Sequence, residues 1–209
     1  KTLRKIVEKS MLGKTWVVAD DNFDDDIDLV KKILMRRGIK SDDDITMFLN
    51  PSIKEYMPDP FVLQDMCKAV NIIADALENN QKIAIYGDYD VDGITSTAIM
   101  IKYLKLLGAD VIWHLPTREG EGYGLNNDAV QDIANTGVKL MITVDCGISG
   151  NNEIAFAKSL GMKVVVTDHH SPDNQLPDAD AVVNPKRLDD TSGLNYLAGV
   201  GVAFLTLVA

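Results

Sequence analysis

The apolar positions of the chain follow two alternating patterns from about residue 59 onward. In one they recur every three or four residues, which predicts the buried face of a helix; such stretches cover residues 63–77, with Pro60 in the first turn, and residues 93–107, 127–135 and 152–160. In the other they form short unbroken runs, which predict buried strands: IAIY, ADVIWHL, KLMITV, KVVVT and DAVVN. Strands that alternate with helices are typical of a parallel sheet covered on both faces. The sequence therefore predicts an α/β fold with a doubly wound, parallel sheet of about five strands.

The first 58 residues are rich in charge and lack this alternation. Two aspartate runs, DDNFDDDIDLV and SDDDITMFLNPS, precede apolar residues, as helix N-caps and first-turn acids do. A calcium loop is excluded because the glycine and the twelfth-position glutamate of an EF-hand are absent. We interpret residues 1–58 as a small helical extension and residues 59–209 as the α/β domain. The closing GVGVAFLTLVA, apolar and without a cap, predicts that this domain is truncated at its C-terminus.

Metal-capable side chains follow three of the predicted strands. They are three aspartates after IAIY, one aspartate after MITV and an Asp-His-His triplet after VVVT: Asp88, Asp90, Asp92, Asp145, Asp168, His169 and His170. The carboxyl ends of parallel strands share one edge of a sheet, and ligands bind in the crevice beyond that edge. We therefore expect these side chains to meet at one site.

Several of these residues also have a purely structural interpretation. Asp90 and Asp92 could cap the following helix, and Asp145 could make an Asx turn. The adjacent histidines are stronger evidence, because two histidines after a buried strand have little packing rationale and the chain has only three. The remaining one, His114, we assign to a strand that faces a helix. The convergence of the carboxylates with His169 favours a shared metal site.

The donor set indicates which metal such a site would hold. Carboxylate oxygens with one or two imidazole nitrogens, and no thiolate, suit Mn²⁺ or Mg²⁺ better than a structural zinc ion. One bridging carboxylate with ligands on either side would hold two cations about 3.5 to 4 Å apart, the spacing of two-metal phosphoryl hydrolysis. The chain is thus expected to be a metal-dependent phosphoesterase with two ions per site.

Charge and cysteine content change this picture only slightly. The formal charge of -10 and the pI near 4.7 argue against a nucleic-acid-binding protein. Some of the acidic residues are candidate metal ligands, however, and a bound cation would cancel their charge. No apolar run reaches the ~18 to 20 residues that span a bilayer, so a cytoplasmic protein without membrane contact is expected. Cys67 and Cys146 lack the spacing of metal or disulfide motifs and are expected to be reduced thiols.

The motifs GDYDVDG, VDCG and TDHH, in this order and at these intervals, resemble the first three motifs of the DHH phosphoesterase family. The longer segments FLNPS, IYGDYDVDGITST, PTREGEGYGL, VNPK and LAGVGVAF resemble its RecJ branch, the single-strand-specific 5′ to 3′ DNA exonucleases. The likeness runs from about residue 30 to the end. Residues 59–209 are accordingly interpreted as the DHH catalytic domain of such an enzyme.

The resemblance implies roles for individual residues. Asp90 would bind the first metal and Asp92 the second, while Asp145 would bridge them. His169 would be a ligand of the second metal. His170 would face the scissile phosphate as a hydrogen-bond donor.

Three positions concern the surroundings of these ligands. Asp88 is expected to be a first-metal ligand or to lie just behind one, because Tyr86 stands where related manganese pyrophosphatases have a histidine. Asp168 is expected to orient His169 or its own backbone turn. A further aspartate that the family supplies beyond the DHH motif has no counterpart in matching context here. That ligand and the family's second domain are expected to lie outside this sequence.

Four residues outside the ligand set are candidate substrate contacts. Arg118, in the glycine-rich loop TREGEGYGL, could meet a phosphate or pair with a neighbouring glutamate. Asn184 ends the last predicted strand at the same sheet edge. Gly199 and Gly201 begin the last helix, where free N–H groups suit an anion, although close packing explains two glycines equally well.

The implied reaction is two-metal hydrolysis of phosphodiesters in single-stranded DNA, with release of 5′ mononucleotides. Strand preference, polarity and a role in DNA repair and recombination come from the resemblance, as do a single-strand-binding protein and a helicase as partners. Two alternatives share the fold: a phosphodiesterase or pyrophosphatase for short oligonucleotides, cyclic dinucleotides or pyrophosphate, and a noncatalytic replication scaffold. A Rossmann dinucleotide-binding protein would need a GxGxxG after the first strand, which is absent.

Overall fold

A computed structural model of the chain describes residues 6–7, 9–17, 27–117, 122, 124–173 and 175–209. The chain divides into two compact units, residues 1–57 and 58–209. None of the helices in the described ranges is long and apolar enough to cross a membrane.

The described residues of the first unit form a small antiparallel pair of strands and three helices. They are β1 (Ile6–Val7), β2 (Trp16–Val17), α1 (Leu29–Arg36), α2 (Asp42–Leu49) and α3 (Ile53–Tyr56). The Asp28 carboxylate accepts the N–H groups of Val30 and Lys31 at the start of α1, and three aspartates occupy the first turn of α2. The prediction that the aspartate runs mark helix starts is therefore confirmed for the described part of both runs.

The second unit is built around a five-stranded parallel sheet. Its strands are β3 (Ile83–Tyr86), β4 (Val111–His114), β5 (Leu140–Val144), β6 (Lys163–Thr167) and β7 (Ala181–Val183), in the spatial order β4-β3-β5-β6-β7. Every neighbouring pair is parallel. The predicted fold class is confirmed.

Helices cover both faces of this sheet. They are α4 (Met66–Glu78), α5 (Val91–Leu106), α6 (Asn127–Asn135), α7 (Asn151–Ser159) and α8 (Gly199–Val208). Alternate residues of β3 enter two separate cores: Ile83 and Ile85 pack with α4, α5 and α8, whereas Ala84 and Tyr86 pack with α6 and α7. Because both faces are buried, β3 and β5 read as unbroken apolar runs rather than as alternating ones.

The strand order reverses between β3 and β5. The chain goes from β3 outward to β4 at the edge, then returns past β3 to β5 and continues in the opposite direction. In doubly wound sheets, ligands bind at the carboxyl ends of the two strands that flank such a reversal. The GDYDVDG and VDCG segments follow these two strands.

The predicted start of the helix near Pro60 is wrong. Pro60–Val62 forms a separate 3₁₀ helix, and α4 begins only at Met66, after Asp65 in a left-handed conformation with φ 61°. The Asp65 carboxylate pairs with Lys68 Nζ and with Arg187 Nη1, each at 2.8 Å. Asp65 lies just before α4, and its partner Arg187 is 122 residues away in the sequence. The periodicity of apolar residues along one segment cannot predict a contact of this kind.

Arg187→Met is expected to lower the free energy of unfolding by about 2 kcal/mol, because the Asp65 carboxylate and the Val182 carbonyl oxygen lose a charged hydrogen-bond donor while Lys68 still pairs with Asp65. The Arg187 side chain is 7% exposed and also bonds Asp189 Oδ2 at 2.6 Å. Denaturant unfolding of the two variants Arg187→Met and Lys186→Met would measure the effect. The half-buried Lys186 is the control, with an expected change of about 0.5 kcal/mol or less. Equal losses in both variants would contradict the ion-pair explanation.

Candidate metal centre

The three aspartates after β3 have three different environments. Asp88 is buried, and Asp90 caps α5 by accepting the Gly93 N–H at 2.9 Å. Asp92 lies in the first turn of α5. A Cβ on Gly93 would lie 2.6 Å from the backbone nitrogen of Asp88, so this tight loop requires glycine. The interpretation of Asp90 as a helix cap is confirmed. Only Oδ1 accepts the capping hydrogen bond, and Oδ2 takes no part in it.

Asp145 follows β5 and has two unsatisfied oxygens. The residue is 1% exposed with φ 59°, and neither carboxylate oxygen has a hydrogen-bond partner among the described residues. Burial, followed by the charges of Asp92 and Asp90, raises the pKa of Asp145 to about 8. A buried carboxylate in this position requires either a proton or a cation.

His169 points a ring nitrogen at the same carboxylate. Its Nδ1 lies 3.1 Å from the Leu197 carbonyl oxygen, so the neutral ring carries its proton on Nδ1 and leaves a lone pair on Nε2. That Nε2 lies 3.1 Å from Asp145 Oδ1 and 3.5 Å from Asp92 Oδ2. A lone pair that faces carboxylate oxygens at this distance is repulsive unless a proton or a cation lies between them. The unsatisfied oxygens of Asp145 and this nitrogen therefore fit a divalent cation.

The N-terminus of α8 binds Asp92. The N–H groups of Gly199 and Val200 donate to the two carboxylate oxygens of Asp92, each at 2.7 Å. The sequence left open whether the start of α8 binds an anion or only packs closely, and in this structure its N–H groups bind the carboxylate of Asp92. A Cβ on Gly199 would lie 2.7 Å from Asp145 Cγ, so Gly199 allows close approach as well. On Gly201 the nearest atom would be the flexible end of Leu197, at 3.1 Å.

Asp168 holds the turn that carries both histidines. Its Oδ1 accepts the N–H groups of His169 and His170 and lies 2.7 Å from His170 Nδ1, while Oδ2 accepts the Ile148 N–H. Burial alone would raise the pKa of Asp168, but the hydrogen bonds from His170 and Ile148 lower it. The hydrogen bond that His170 donates to Asp168 also raises the pKa of His170. Asp168 thus holds its own backbone turn, one of the two roles that the sequence predicted, and it orients the ring of His170 and not that of His169.

The ligand atoms gather into two groups that share Asp145. Single atoms of Asp88, Asp90 and Asp145 lie within 4.8 Å of one another, and so do single atoms of Asp145, His169 and His170. Asp92 lies beside the second group, with its Oδ2 3.5 Å from His169 Nε2. The structure therefore brings together all the residues expected to bind metal, with Asp145 in the middle.

Tyr86 takes no part in either group. Its side chain is fully buried, and its hydroxyl donates to the Gly124 carbonyl oxygen at 3.3 Å and accepts from Asn126 at 3.2 Å. Its ring lies 4.9 Å from that of His114, which has a packing role. Asp88, rather than the residue at position 86, is therefore placed to complete the first group.

Polar groups of three of the four expected substrate contacts are bonded inside the fold, and the fourth lies outside the described residues; the N–H of Gly199 is the one bound to Asp92. Asn184 is fully buried; its Nδ2 donates to the His170 carbonyl oxygen and its Oδ1 accepts the Lys186 N–H. Both ends of the Asn184 amide are used inside the fold, so the structure gives no support to a substrate contact there. The Gly201 N–H donates to the Ala198 carbonyl oxygen at 2.9 Å. Arg118 falls among the residues that the structure does not describe.

Sequence reasoning did not find the backbone groups that hold the ligands. The Leu197 carbonyl oxygen fixes His169, and the Ile148 N–H fixes Asp168. Main-chain groups carry no residue-specific signal, so only the glycines of LAGVG pointed to this segment.

Metal-free protein is expected to lose stability as the pH rises from about 4 toward 8. The folded-state pKa of Asp145, about 8, exceeds the ordinary value of 3.8, so the protonated carboxyl favours folding and its ionisation opposes it. Thermal unfolding in a chelator at pH 6 and pH 8 should therefore give a larger decrease in Tm for the natural chain than for Asp145→Asn. Parallel Tm profiles for the two would contradict the assignment of the raised pKa.

A family model described as "DHH family, N-terminal domain" matches residues 82–208. The single-stranded-DNA-specific exonuclease RecJ of Bacillus subtilis is 43% identical over 176 residues, which cover 84% of this chain and 22% of that protein. Among solved structures, exonuclease RecJ bound to manganese is 39% identical, with a TM-score of 0.64 over 69% of this chain and 37% of the other. RecJ of Thermus thermophilus in complex with Mn²⁺ is 32% identical, with a TM-score of 0.65 over 83% of this chain and 23% of the other.

These similarities agree with the site that the fold assembles. The chain spans less than a third of the length of the curated RecJ proteins it matches. The family match covers well over half of the chain, including both sheet-edge motifs and the Asp-His-His turn. The chain belongs to the DHH family.

Proposed function

We propose that this chain is the catalytic domain of a single-strand-specific 5′ to 3′ DNA exonuclease that hydrolyses phosphodiesters with two divalent cations. The observation that carries the proposal is the unsatisfied, buried carboxylate of Asp145 between two groups of metal-capable side chains. A buried carboxylate with a raised pKa and no hydrogen-bond partner among the described residues destabilises the metal-free fold, and such groups cluster at functional sites.

The residues divide between two cations, for which Mn²⁺ or Mg²⁺ suits the donors. Asp88 and Asp90 would hold one ion and Asp92 and His169 the other, with Asp145 bridging both. Two such ions supply an activated water and neutralise charge on the phosphoryl group. The Leu197 carbonyl oxygen keeps the proton of His169 on Nδ1, so that Nε2 is available as a ligand.

His170 would donate a hydrogen bond to the substrate. Its Nδ1 is held by Asp168 at 2.7 Å, which leaves Nε2 to point away from the turn. The hydrogen bond to Asp168 raises the pKa of His170 and so favours the protonated ring. A protonated Nε2 beside Asp145 and His169 would donate a hydrogen bond to a non-bridging oxygen of the scissile phosphate.

Substrate and polarity are proposed from similarity. The relatives are named single-stranded-DNA-specific exonucleases, and the likeness extends through the motifs that bear the ligands. By this analogy the products are 5′ mononucleotides, the setting is DNA repair and recombination, and a helicase and a single-strand-binding protein supply the strand.

The test is a nuclease assay on the full-length protein with Mn²⁺. Single-stranded DNA labelled at the 5′ end should release labelled mononucleotide at once, whereas 3′-labelled DNA should release label only when the strand is nearly consumed. Duplex DNA, pyrophosphate and a cyclic dinucleotide are the competing substrates. Hydrolysis of only the small substrates would retain the metal site and reject the DNA substrate, and binding of DNA without hydrolysis would indicate a scaffold.

A further inference from the structure

Strand β5 carries one hydroxyl group among its apolar residues, close to the carboxylate proposed to bridge the metals. Its sequence is LMITV, and Thr143 is fully buried in it, as are the other four residues. A polar side chain in a strand covered on both faces needs a hydrogen-bond partner inside the fold. The Thr143 hydroxyl donates to the Cys146 carbonyl oxygen at 2.9 Å. This hydrogen bond spans the turn that contains Asp145.

The turn after β5 lies directly against the Thr143 hydroxyl. A Cβ on Gly147 would lie 2.7 Å from Thr143 Oγ1 and 3.3 Å from Thr143 Cβ, so this close approach of the main chain requires glycine. Gly147 also has φ 103°, a conformation that favours glycine. The Thr143 carbonyl oxygen in turn accepts the hydroxyl of Thr167, at the end of β6, at 2.8 Å. Thr143 is therefore held by the neighbouring strand while its hydroxyl holds the turn.

The direction of the Asp145 side chain depends on its main chain. Neither carboxylate oxygen has a hydrogen-bond partner among the described residues, so no such bond fixes the carboxylate in the metal-free protein. The residue has φ 59°, and a left-handed conformation of this kind persists only where the surroundings hold it. The Asp145 N–H donates to the Thr167 carbonyl oxygen at 3.0 Å, and the Thr143 hydroxyl holds the carbonyl of the next residue. Hydrogen bonds thus fix the main chain on both sides of Asp145.

We propose that Thr143 is a positioning residue of the metal centre, whose hydroxyl holds the turn that directs the Asp145 carboxylate toward both cations. The inference rests on the proposed function and adds to it a residue outside both ligand groups. Loss of a group that orients a metal ligand commonly lowers metal affinity by about 10- to 100-fold. Because Asp145 belongs to both ligand groups, Thr143 acts on both cations.

The experiment measures Mn²⁺ binding to the full-length, metal-free protein by calorimetry. Thr143→Val keeps the branched shape of the side chain without the hydroxyl and should weaken Mn²⁺ binding by about 10- to 100-fold. Thr143→Ser keeps the donor and should bind Mn²⁺ within about threefold of the natural protein. Thr143→Ala removes the hydroxyl without placing a methyl group against the Cys146 carbonyl oxygen. It should show the same loss as Thr143→Val, and it provides the measurement if Thr143→Val does not fold.

Thr206→Val is the matched control. Thr206 is a buried threonine of α8 whose hydroxyl donates to the Val202 carbonyl oxygen at 2.9 Å, within the same helix. The same change there should leave the Mn²⁺ affinity unaltered. Initial rates on single-stranded DNA give a second measurement that a general loss of stability would not change. In Thr143→Val the Mn²⁺ concentration for half-maximal rate should rise by the same factor as the Kd, with an unchanged KM for DNA at saturating Mn²⁺.

Three results would overturn the assignment of Thr143. They are an unchanged Mn²⁺ affinity in the variants without the hydroxyl, an equal loss of affinity in Thr143→Ser, and an equal loss in Thr206→Val. Calorimetry with Mn²⁺ uses no DNA, so it tests Thr143 independently of the substrate. Natural protein that binds Mn²⁺ but does not hydrolyse single-stranded DNA would reject the proposed function instead, and the two failures remain distinguishable.

Discussion

Asp145→Asn should abolish hydrolysis by the full-length protein and at the same time stabilise the metal-free fold. Asparagine keeps the shape of the side chain and tolerates the left-handed backbone at this position, where φ is 59°. It removes a buried negative charge that Asp92 and Asp90 repel. Functional sites often contain groups that destabilise the fold, so a loss of activity together with a gain in stability is the response expected if this carboxylate serves function.

The expected loss of activity is large because Asp145 belongs to both ligand groups. Metal ions contribute several kcal/mol of transition-state stabilisation, and each ~1.4 kcal/mol is tenfold in rate, so we expect about a thousandfold decrease or more. Initial rates on 5′-labelled single-stranded DNA would measure it. Differential scanning fluorimetry with and without Mn²⁺ would show whether the metal-induced rise in Tm disappears as well.

Asp132→Asn is the matched control. Asp132 is an acid on α6, outside both ligand groups, and the same change of charge there should leave the rate and the metal-induced rise in Tm unaltered. Asp145→Asn protein that still binds Mn²⁺ and retains activity would reject Asp145 as the bridging ligand.

The sequence predicted those features that local patterns encode. The apolar runs predicted all five strands of the sheet, because strands buried on both faces, such as β3 and β5, are mostly apolar. The positions of Asp88, Asp145 and His169 at one edge followed from the strands being parallel. Parallel pairing also fixed which ends of the strands meet, so the expected convergence required no knowledge of the strand order.

Contacts between distant segments could not be predicted in the same way. Asp92 reaches the N–H groups of α8 across 107 residues or more, and Arg187 reaches Asp65 across 122. Asn184 was expected to contact substrate because it ends a strand at the edge of the sheet where the ligands lie. The sequence could not predict that its amide bonds the His170 carbonyl oxygen inside the fold. Periodicity locates a residue on a strand or helix, whereas its partners depend on how those elements pack.

Gly199→Ala should weaken Mn²⁺ binding by about 10- to 100-fold, the effect expected of changes to groups that orient metal ligands. The added Cβ would lie 2.7 Å from Asp145 Cγ, so either this carboxylate or the start of α8 must move. Movement of α8 would also disturb the two N–H groups that hold Asp92 and the Leu197 carbonyl oxygen that holds His169. Calorimetric titration of the metal-free protein with Mn²⁺ measures the change.

Gly201→Ala separates this effect from a general change in helix stability. Its Cβ would meet only the flexible end of Leu197, at 3.1 Å, and alanine inside a helix is favoured over glycine by about 1 kcal/mol. We therefore expect Gly201→Ala to retain Mn²⁺ affinity with equal or higher stability. If Gly199→Ala instead keeps its Mn²⁺ affinity and only raises the KM for DNA, the start of α8 binds substrate and does not position the metal ligands. Because Asp92 already occupies both N–H groups, we expect the loss in Mn²⁺ affinity and not the change in KM.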